Sequence, residues 1–93
     1  MDLESMYSFE ELTNEAESLV IEELGRQLEE LGDDACMKKE CILDIAAYAL
    51  NHVPSMYRVN LLGRLYARSL RDEHRTEVRE AVRDAINKIS KDY

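Results

Sequence analysis

The chain has 93 residues, of which 45% are hydrophobic and 34% charged, and its formal net charge is -8. These values predict one small domain over residues 1–93, with residues 1–7 as a candidate disordered tail. A chain of this length buries only about 60% of the surface that its unfolded form exposes, so it has little room for an enclosed active site. No apolar run could cross a bilayer, and acidic residues stand where a secretory signal needs positive charge, so we expect a cytoplasmic protein without membrane partners.

Charge is distributed unevenly along the chain. Residues 1–35 contain twelve acids and one arginine, a net charge of -11, whereas the other 58 residues carry a net charge of +3. Four arginines and no acid fall within residues 58–71: Arg58, Arg64, Arg68 and Arg71. This asymmetry predicts one acidic and one basic face. The acidic total argues against duplex DNA, because a protein that neutralises many phosphates is normally basic.

The first predicted helix runs from Phe9 to Leu31, where apolar residues recur at steps of three and four with acids between them. Ser8 and Asn14 are alternative N-caps, because each offers a side-chain acceptor and is followed three residues later by a glutamate. Gly32 is expected to end this helix, since glycine readily adopts the left-handed conformation of a C-terminal cap.

Two further helices are predicted from apolar spacing. The second is capped by Asp33 or Asp34, carries its stripe from Ile42 to Leu50 and ends before Pro54, because a residue preceding proline is pushed out of helical geometry. The last runs over about residues 73–90, with its stripe formed by Val78, Ala81, Val82, Ala85, Ile86 and Ile89.

Residues 57–70 are compatible with two kinds of structure. Leu61, Leu62 and Leu65 fit a helical stripe, whereas Tyr57 and Val59 alternate as in a strand, and Gly63 weakens both. We favour a helix from about residue 60. The predicted fold class is therefore all-α, a small bundle of about four helices. The sequence does not decide between helix and strand for residues 57–70.

Cys36 and Cys41 are candidate zinc ligands. Zinc prefers four ligands in a tetrahedron, so His74, Asp33, Asp34 or a second subunit would have to complete the site. The alternative is one buried and one exposed thiol without metal, and the small number of cysteines favours it.

The basic residues are candidate phosphate ligands, because an arginine guanidinium can bind phosphate oxygens through two hydrogen bonds. Five arginines would align on one continuous helix, namely Arg64, Arg68, Arg71, Arg75 and Arg79. The alternative is a solvated face relieved by neighbouring acids or by the acidic first helix. Tyr57 and Tyr66 bracket the run and could stack on a nucleobase, although aromatic rings at helical spacing more often belong to the core.

The sequence contains no glycine-rich phosphate loop, no paired carboxylates at a recognisable spacing and no nucleophile motif. His52 and His74 are the only candidates for a general base near neutral pH. We therefore predict that the protein is not an enzyme.

The segment CILDIAAYALNHVPSMY, residues 41–57, resembles the family of the late competence development protein ComFB. The residues that carry this resemblance are Cys41, Asp44, Ala49, Leu50, Asn51, Pro54 and Tyr57. Outside the segment, Asn14, Glu17 and Val20 resemble the family's Asn-x-x-Glu-x-x-Val, and Gly63, Tyr66, Ala67 and Arg68 resemble its Gly-x-x-Tyr-Ala-Lys/Arg. A closing helix with Val78, Ala85 and Ile86 in the family's placement extends the resemblance to about residue 89.

The resemblance implies a small helical homodimer without known catalytic activity, in which Asn14, Glu17, Asp44, Asn51 and Pro54 are motif residues. Some members bind zinc through cysteines, but Lys38 stands here in place of the middle cysteine of that cluster. Members are proposed as receptors for cyclic dinucleotides such as cyclic di-GMP and cyclic di-AMP.

Our leading hypothesis is therefore a cyclic dinucleotide receptor that acts through an unidentified protein partner. Its candidate ligand-binding residues are chosen by charge and aromatic character: Arg58, Arg64, Arg68 and Arg71 for the phosphates and Tyr57 and Tyr66 for a base. The alternative hypothesis is a structural or adaptor dimer that recruits a protein without a small ligand. A zinc-stabilised variant of either hypothesis would bind the metal through Cys36 and Cys41.

Overall fold

The computed structural model describes residues 1–59 and 72–93. These residues contain four α-helices and one two-stranded antiparallel sheet, which confirms the predicted mainly helical fold. The elements are α1 (Leu3–Met6), β1 (Thr13–Asn14), α2 (Glu15–Leu31), α3 (Lys39–Leu50), β2 (Tyr57–Arg58) and α4 (Arg75–Ile89), with 3-10 turns at Gly32–Asp34 and Ser90–Asp92. Within the described residues, no helix is long and apolar enough to span a membrane.

Helix α2 begins at Glu15, so Asn14 is the correct N-cap of the two predicted and the start at Phe9 was wrong. The Asn14 side chain accepts a hydrogen bond from the Ala16 backbone N–H at 3.1 Å. Phe9 and Leu12 instead close a turn, with Leu12 N donating to Phe9 O, and both side chains are about half exposed. At the other end of α2, Gly32 has a φ of 58°, and its backbone N–H donates to carbonyl oxygens of the last helical turn. Gly32 therefore ends the helix, as predicted.

Helix α3 begins at Lys39 with Lys38 at the N-cap, so the prediction that Asp33 or Asp34 caps it was wrong. Both aspartates lie in the 3-10 turn that follows α2, and the chain continues in extended conformation before α3 starts. The helix ends at Leu50, four residues before Pro54, and a turn covers the interval.

The core lies between α2, α3 and α4, where the predicted apolar stripes meet. Its fully buried side chains include Val20, Cys41, Ile45, Ala49, Val82 and Ala85. Burying a side chain the size of Val20, Ile45 or Val82 contributes about 1.5–3 kcal/mol, so these three are expected to contribute strongly to the stability of the domain. Helix α4 has nearly the bounds that its spacing predicts.

The strands β1 and β2 join the start of α2 to the chain that follows α3. Thr13 pairs with Arg58 and Asn14 with Tyr57. Tyr57 and Arg58 are therefore extended. Of the two structures considered for residues 57–70, helix and strand, these two residues adopt the strand. The helix predicted from residue 60 lies outside the described residues.

Candidate functional site

The β1–β2 junction is formed by Asn14, Glu15, Met56, Tyr57 and Arg58. It fixes the positions of Tyr57 and Arg58, the two candidate ligand residues that lie in the described part of the chain. Asn14 Oδ1 accepts a second hydrogen bond, from the Met56 backbone N–H at 2.8 Å, besides the one that caps α2. The Glu15 N–H donates to Met56 O, also at 2.8 Å. Since the Met56 side chain is buried, this polar attachment is shielded from water.

Arg58 forms an ion pair with Glu15 across the junction, its Nε donating to Glu15 Oε1. The two side chains are only 18% and 14% exposed. Such a shielded pair neutralises the arginine charge more effectively than a surface pair would. Arg58, predicted as a phosphate ligand, thus already has an anionic partner within the chain.

Tyr57 lies beside Arg58 with 64% of its surface exposed. Because side chains alternate along a strand, the exposed Tyr57 and the mostly buried Arg58 fall on opposite faces of β2. An exposed phenol ring on a strand held by the junction is a suitable platform for stacking. The other candidates, Arg64, Arg68, Arg71 and Tyr66, lie outside the described residues.

The remaining motif residues occupy separate places. The Asp44 carboxylate accepts a hydrogen bond from the Tyr93 hydroxyl, and this raises the pKa of Tyr93 to about 12. Asn51 is the C-cap of α3, its backbone N–H donating to Ala47 O at 3.1 Å. Pro54 is partly buried in the chain leading to β2, and Glu17 is exposed in the first turn of α2, where a negative charge is favourable.

Cys36 and Cys41 lie together at the start of α3. Cys36 is half-buried in the chain before the helix, and Cys41 is fully buried in its first turn. The neighbouring Cys41 thiol and the Lys38 backbone favour the thiolate of Cys36 and so lower the pKa of Cys36. Burial, with the neighbouring Cys36, raises the pKa of Cys41 to about 11.

These two thiols do not match a zinc site in the described part of the chain. Over residues 1–59 and 72–93, no group of three or more His, Cys, Asp or Glu side chains could hold a metal ion. His74, one of the residues considered for completing the set, has its Nδ1 3.0 Å from Glu77 Oε1 instead. Two sulfur donors fall short of the four ligands that structural zinc requires.

A groove of about 580 Å³ lies between α2 and the start of α4 and contains three arginines, Arg26, Arg75 and Arg79. Arg26 donates to Glu23, and Arg75 lies 3.2 Å from Asp72. Helix α4 begins after His74, whose ψ of 12° leaves helical geometry, so Arg75 and Arg79 lie on a helix that does not extend back through residue 74. The condition under which the five arginines would align is therefore not met at that residue. The described basic residues of the groove are therefore largely balanced by acids on the same surface.

The aromatic pair Tyr48 and His52 braces the end of α3. Their rings stack at 4.3 Å between centroids, and His52 Nδ1 lies 2.7 Å from Tyr48 O. Lys88 of α4 donates to the Tyr48 hydroxyl at 3.0 Å, which ties the turn to α4. This arrangement holds His52 against the last turn of α3.

The family model for "Late competence development protein ComFB" matches residues 13–93. The chain belongs to this family. The matched part begins at β1 and includes both the β1–β2 junction and the thiol pair, and ComFB membership points to a competence-related regulatory role. Among curated proteins, no match to this ComFB chain was found.

Three contacts of this ComFB protein were missed at the sequence level. They are the partnership of Glu15 with Arg58, the anchoring of Tyr93 to Asp44, and the role of buried Gln27, whose amide donates to Arg79 O at 3.0 Å. Gln27 left a signal, because it is a polar residue next to Leu28 on the buried face of α2. Relief of the basic run by the acidic first helix was one of the alternatives, but the sequence did not indicate that Glu15 is the acid that pairs with Arg58. The contact of Tyr93 with Asp44 left no signal.

Proposed function

We propose that this ComFB protein is a non-enzymatic regulator that binds a cyclic dinucleotide, cyclic di-GMP or cyclic di-AMP, and acts through a protein partner as a cytoplasmic homodimer. The observation that carries the proposal is Tyr57, a well-exposed ring on a strand fixed by the β1–β2 junction, at the beginning of the acid-free run of arginines. A base stacked on such a ring gains about 1–3 kcal/mol.

The ion pair with Glu15 refines the choice of phosphate ligands. A ligand phosphate would have to displace a shielded carboxylate to reach Arg58, and breaking such a pair is costly. We therefore assign Arg58 to positioning Tyr57, and the phosphates to Arg64, Arg68 and Arg71, which have no acid between them in the sequence. A symmetric ligand with two phosphates suits the two-fold axis of a dimer.

The non-enzymatic part of the proposal rests on the sequence, which contains no nucleophile motif and no paired carboxylates at a recognisable spacing. The two histidines do not decide it, because each is held by a neighbour at Nδ1 only: His52 lies near Tyr48 O and His74 near Glu77. A histidine that acts as a general base is commonly held in the same way.

Calorimetric titration tests the receptor proposal. At ~100 μM protein, either cyclic di-GMP or cyclic di-AMP should release measurable heat. Tyr57→Ala should weaken binding by about tenfold or more, whereas Arg83→Gln, an exposed change on α4, should leave the affinity unchanged. Absence of heat with both nucleotides would remove the receptor proposal, and equal losses for the two variants would remove Tyr57 from the site.

An adaptor that recruits a protein without a nucleotide is the second candidate. It is favoured by exposed apolar side chains on the helices, Ile21 at 62% and Leu43 at 57%, together with the many acids of α2. Capture of a partner without nucleotide, weakened by salt and by Ile21→Ser, would favour the adaptor. Capture that requires nucleotide would reject it.

A further inference from the structure

The outer face of α3 carries apolar side chains that the chain itself leaves uncovered. Leu43 is 57% exposed and Ala47 is exposed, while Ile42, Ala46 and Leu50 beside them are only partly buried. These five residues lie at spacings of three and four, so they form one stripe along the helix, next to the face that packs into the core. A helix that is apolar on both faces is expected to have a second contact besides the core.

The outer stripe of α3 differs in charge from the other two long helices. Helix α2 contains six acids and one arginine, and α4 carries four basic and three acidic side chains. The five residues of the stripe are all uncharged. Because each chain has a net charge of -8, two copies repel each other unless they meet on a face with few charges. Among the three long helices that the structure describes, α3 offers that face.

The stripe is complementary to itself when two copies are related by a two-fold axis perpendicular to α3. The two helices are then antiparallel, and every contact occurs twice. Leu43 would lie opposite the alanine at position 47 of the second copy, and Ala47 opposite the leucine at its position 43. Large side chains facing small ones can interdigitate. Alanines also allow two helix axes to approach to about 8 Å.

The ends of α3 are complementary in the same arrangement. The last turn of α3, a helix that the structure describes throughout, contains no basic side chain, although the carbonyl end of a helix is partially negative. Lys39 is exposed at the first position of the helix. In an antiparallel pair, each lysine would lie beside the last turn of the other copy and supply the missing cation. A parallel pair would instead bring the two lysines together.

We propose that the outer face of α3 is the homodimer interface of this protein, with the two helices antiparallel. The inference rests on the homodimer of the proposed function and assigns a surface to it. One pair of twelve-residue helices is a small contact, below the about 1,200 Å² that a standard stable complex buries. The dimer should therefore be weak, with a dissociation constant of about 10–100 μM.

The test uses the full reduced chain and sedimentation equilibrium at about 2–500 μM, where the wild type should change from monomer to dimer. Ala47→Glu should raise the dissociation constant at least about tenfold, because it places a carboxylate in an apolar contact on both copies. Asn87→Glu adds the same charge at an exposed position of α4 and should leave the dissociation constant unchanged. At about 2 μM, where the dimer is largely dissociated, both variants should unfold at the wild-type urea concentration.

A mixture of two variants tests the antiparallel orientation. Leu43→Lys alone should also weaken the dimer, because it places a cation in the apolar contact. Mixed in equal amounts with Ala47→Glu, it should form a heterodimer that is tighter than either variant alone. In that heterodimer the introduced lysine faces the introduced glutamate, and the other Leu43–Ala47 contact is unchanged.

Three results would overturn the interface. A wild type that stays monomeric at about 500 μM would do so and would also remove the homodimer from the proposed function. A dimer that Ala47→Glu does not weaken, or that Asn87→Glu weakens equally, would keep the homodimer but exclude α3. A mixture no tighter than the single variants would contradict the antiparallel arrangement. Because no nucleotide enters these measurements, a failure of nucleotide binding would remove the receptor proposal alone.

Discussion

The helical core and the β1–β2 junction hold this protein together by different means. The core is apolar, with Ile45 and Val82 fully buried between helices, whereas the junction depends on the Asn14 amide and the Glu15–Arg58 pair. Apolar burial is non-directional and tolerates small shifts, but hydrogen bonds fail once their geometry is lost. The difference indicates that the core sets the stability of the domain, while the junction sets where Tyr57 is placed.

Ile45→Ala should have the largest effect, because it removes a fully buried side chain from the centre of the core. We expect the free energy of unfolding to fall by about 3 kcal/mol, measured by urea denaturation. Leu43→Ala on the same helix is the matched control, since Leu43 is 57% exposed. Similar losses for the two variants would contradict the assignment of the core.

Asn14→Ala should come next. It removes the cap of α2 and leaves the Met56 N–H without its acceptor, which together should cost about 2 kcal/mol. Asn14→Asp keeps an acceptor oxygen and should recover most of the loss. If both variants unfold at the same urea concentration, the amide oxygen is not what fixes the junction.

The junction and the core also differ in how far the sequence predicts them. Periodicity located α4 and the buried face of α2, since one face of each helix must be apolar over several turns. It placed the start of α2 wrongly, because Phe9 and Leu12 continue the spacing although they belong to a turn. The Asn14 cap was visible only as one of two local candidates.

The contacts of the candidate site could not be predicted from the sequence. Glu15 is one of many acids in the first part of the chain, and only the strand pairing brings it to Arg58, 43 residues away. Cys36 and Cys41 were considered either as zinc ligands or as one buried and one exposed thiol, and their burial, full for Cys41 and partial for Cys36, depends on how the chain enters α3. Local spacing carries no information of this kind, because these contacts depend on tertiary packing.

A double-mutant cycle on Glu15 and Arg58 sharpens the comparison further. With Glu15→Gln and Arg58→Gln, alone and together, we expect a coupling free energy of about 1–2 kcal/mol, since both side chains are mostly buried. The matched pair Asp72 and Arg75, with side chains 78% and 70% exposed, should give less than about 0.5 kcal/mol. Equal coupling in the two cycles would show that burial does not strengthen the junction pair.

The smallest effect should appear in the pH dependence of Glu23. Its hydrogen bond from Arg26, and a second from Gln27, hold the pKa of this carboxyl below its ordinary value of 4.5. A carboxyl whose pKa is lower in the folded state than in the unfolded state stabilises the fold at pH values above its unfolded pKa. This stabilisation is lost as the pH falls through the folded pKa.

Glu23→Gln should therefore be less stable than the wild type at pH 7 by a fraction of a kcal/mol, and the difference should be smaller at pH 3, below the ordinary pKa of 4.5. Urea denaturation at both pH values measures it, with Glu29→Gln on the exposed side of α2 as the control. A difference that is the same at the two pH values would contradict the shifted pKa.

The shortness of β1 and β2 affects how this protein can associate with other chains. Each strand has only two residues, so the sheet offers very few backbone groups for a further strand to pair with. Longer exposed edges invite pairing between molecules and aggregation, and short ones are a recognised defence against both. In the homodimer that we propose, this sheet could therefore contribute only a few backbone hydrogen bonds to an interface.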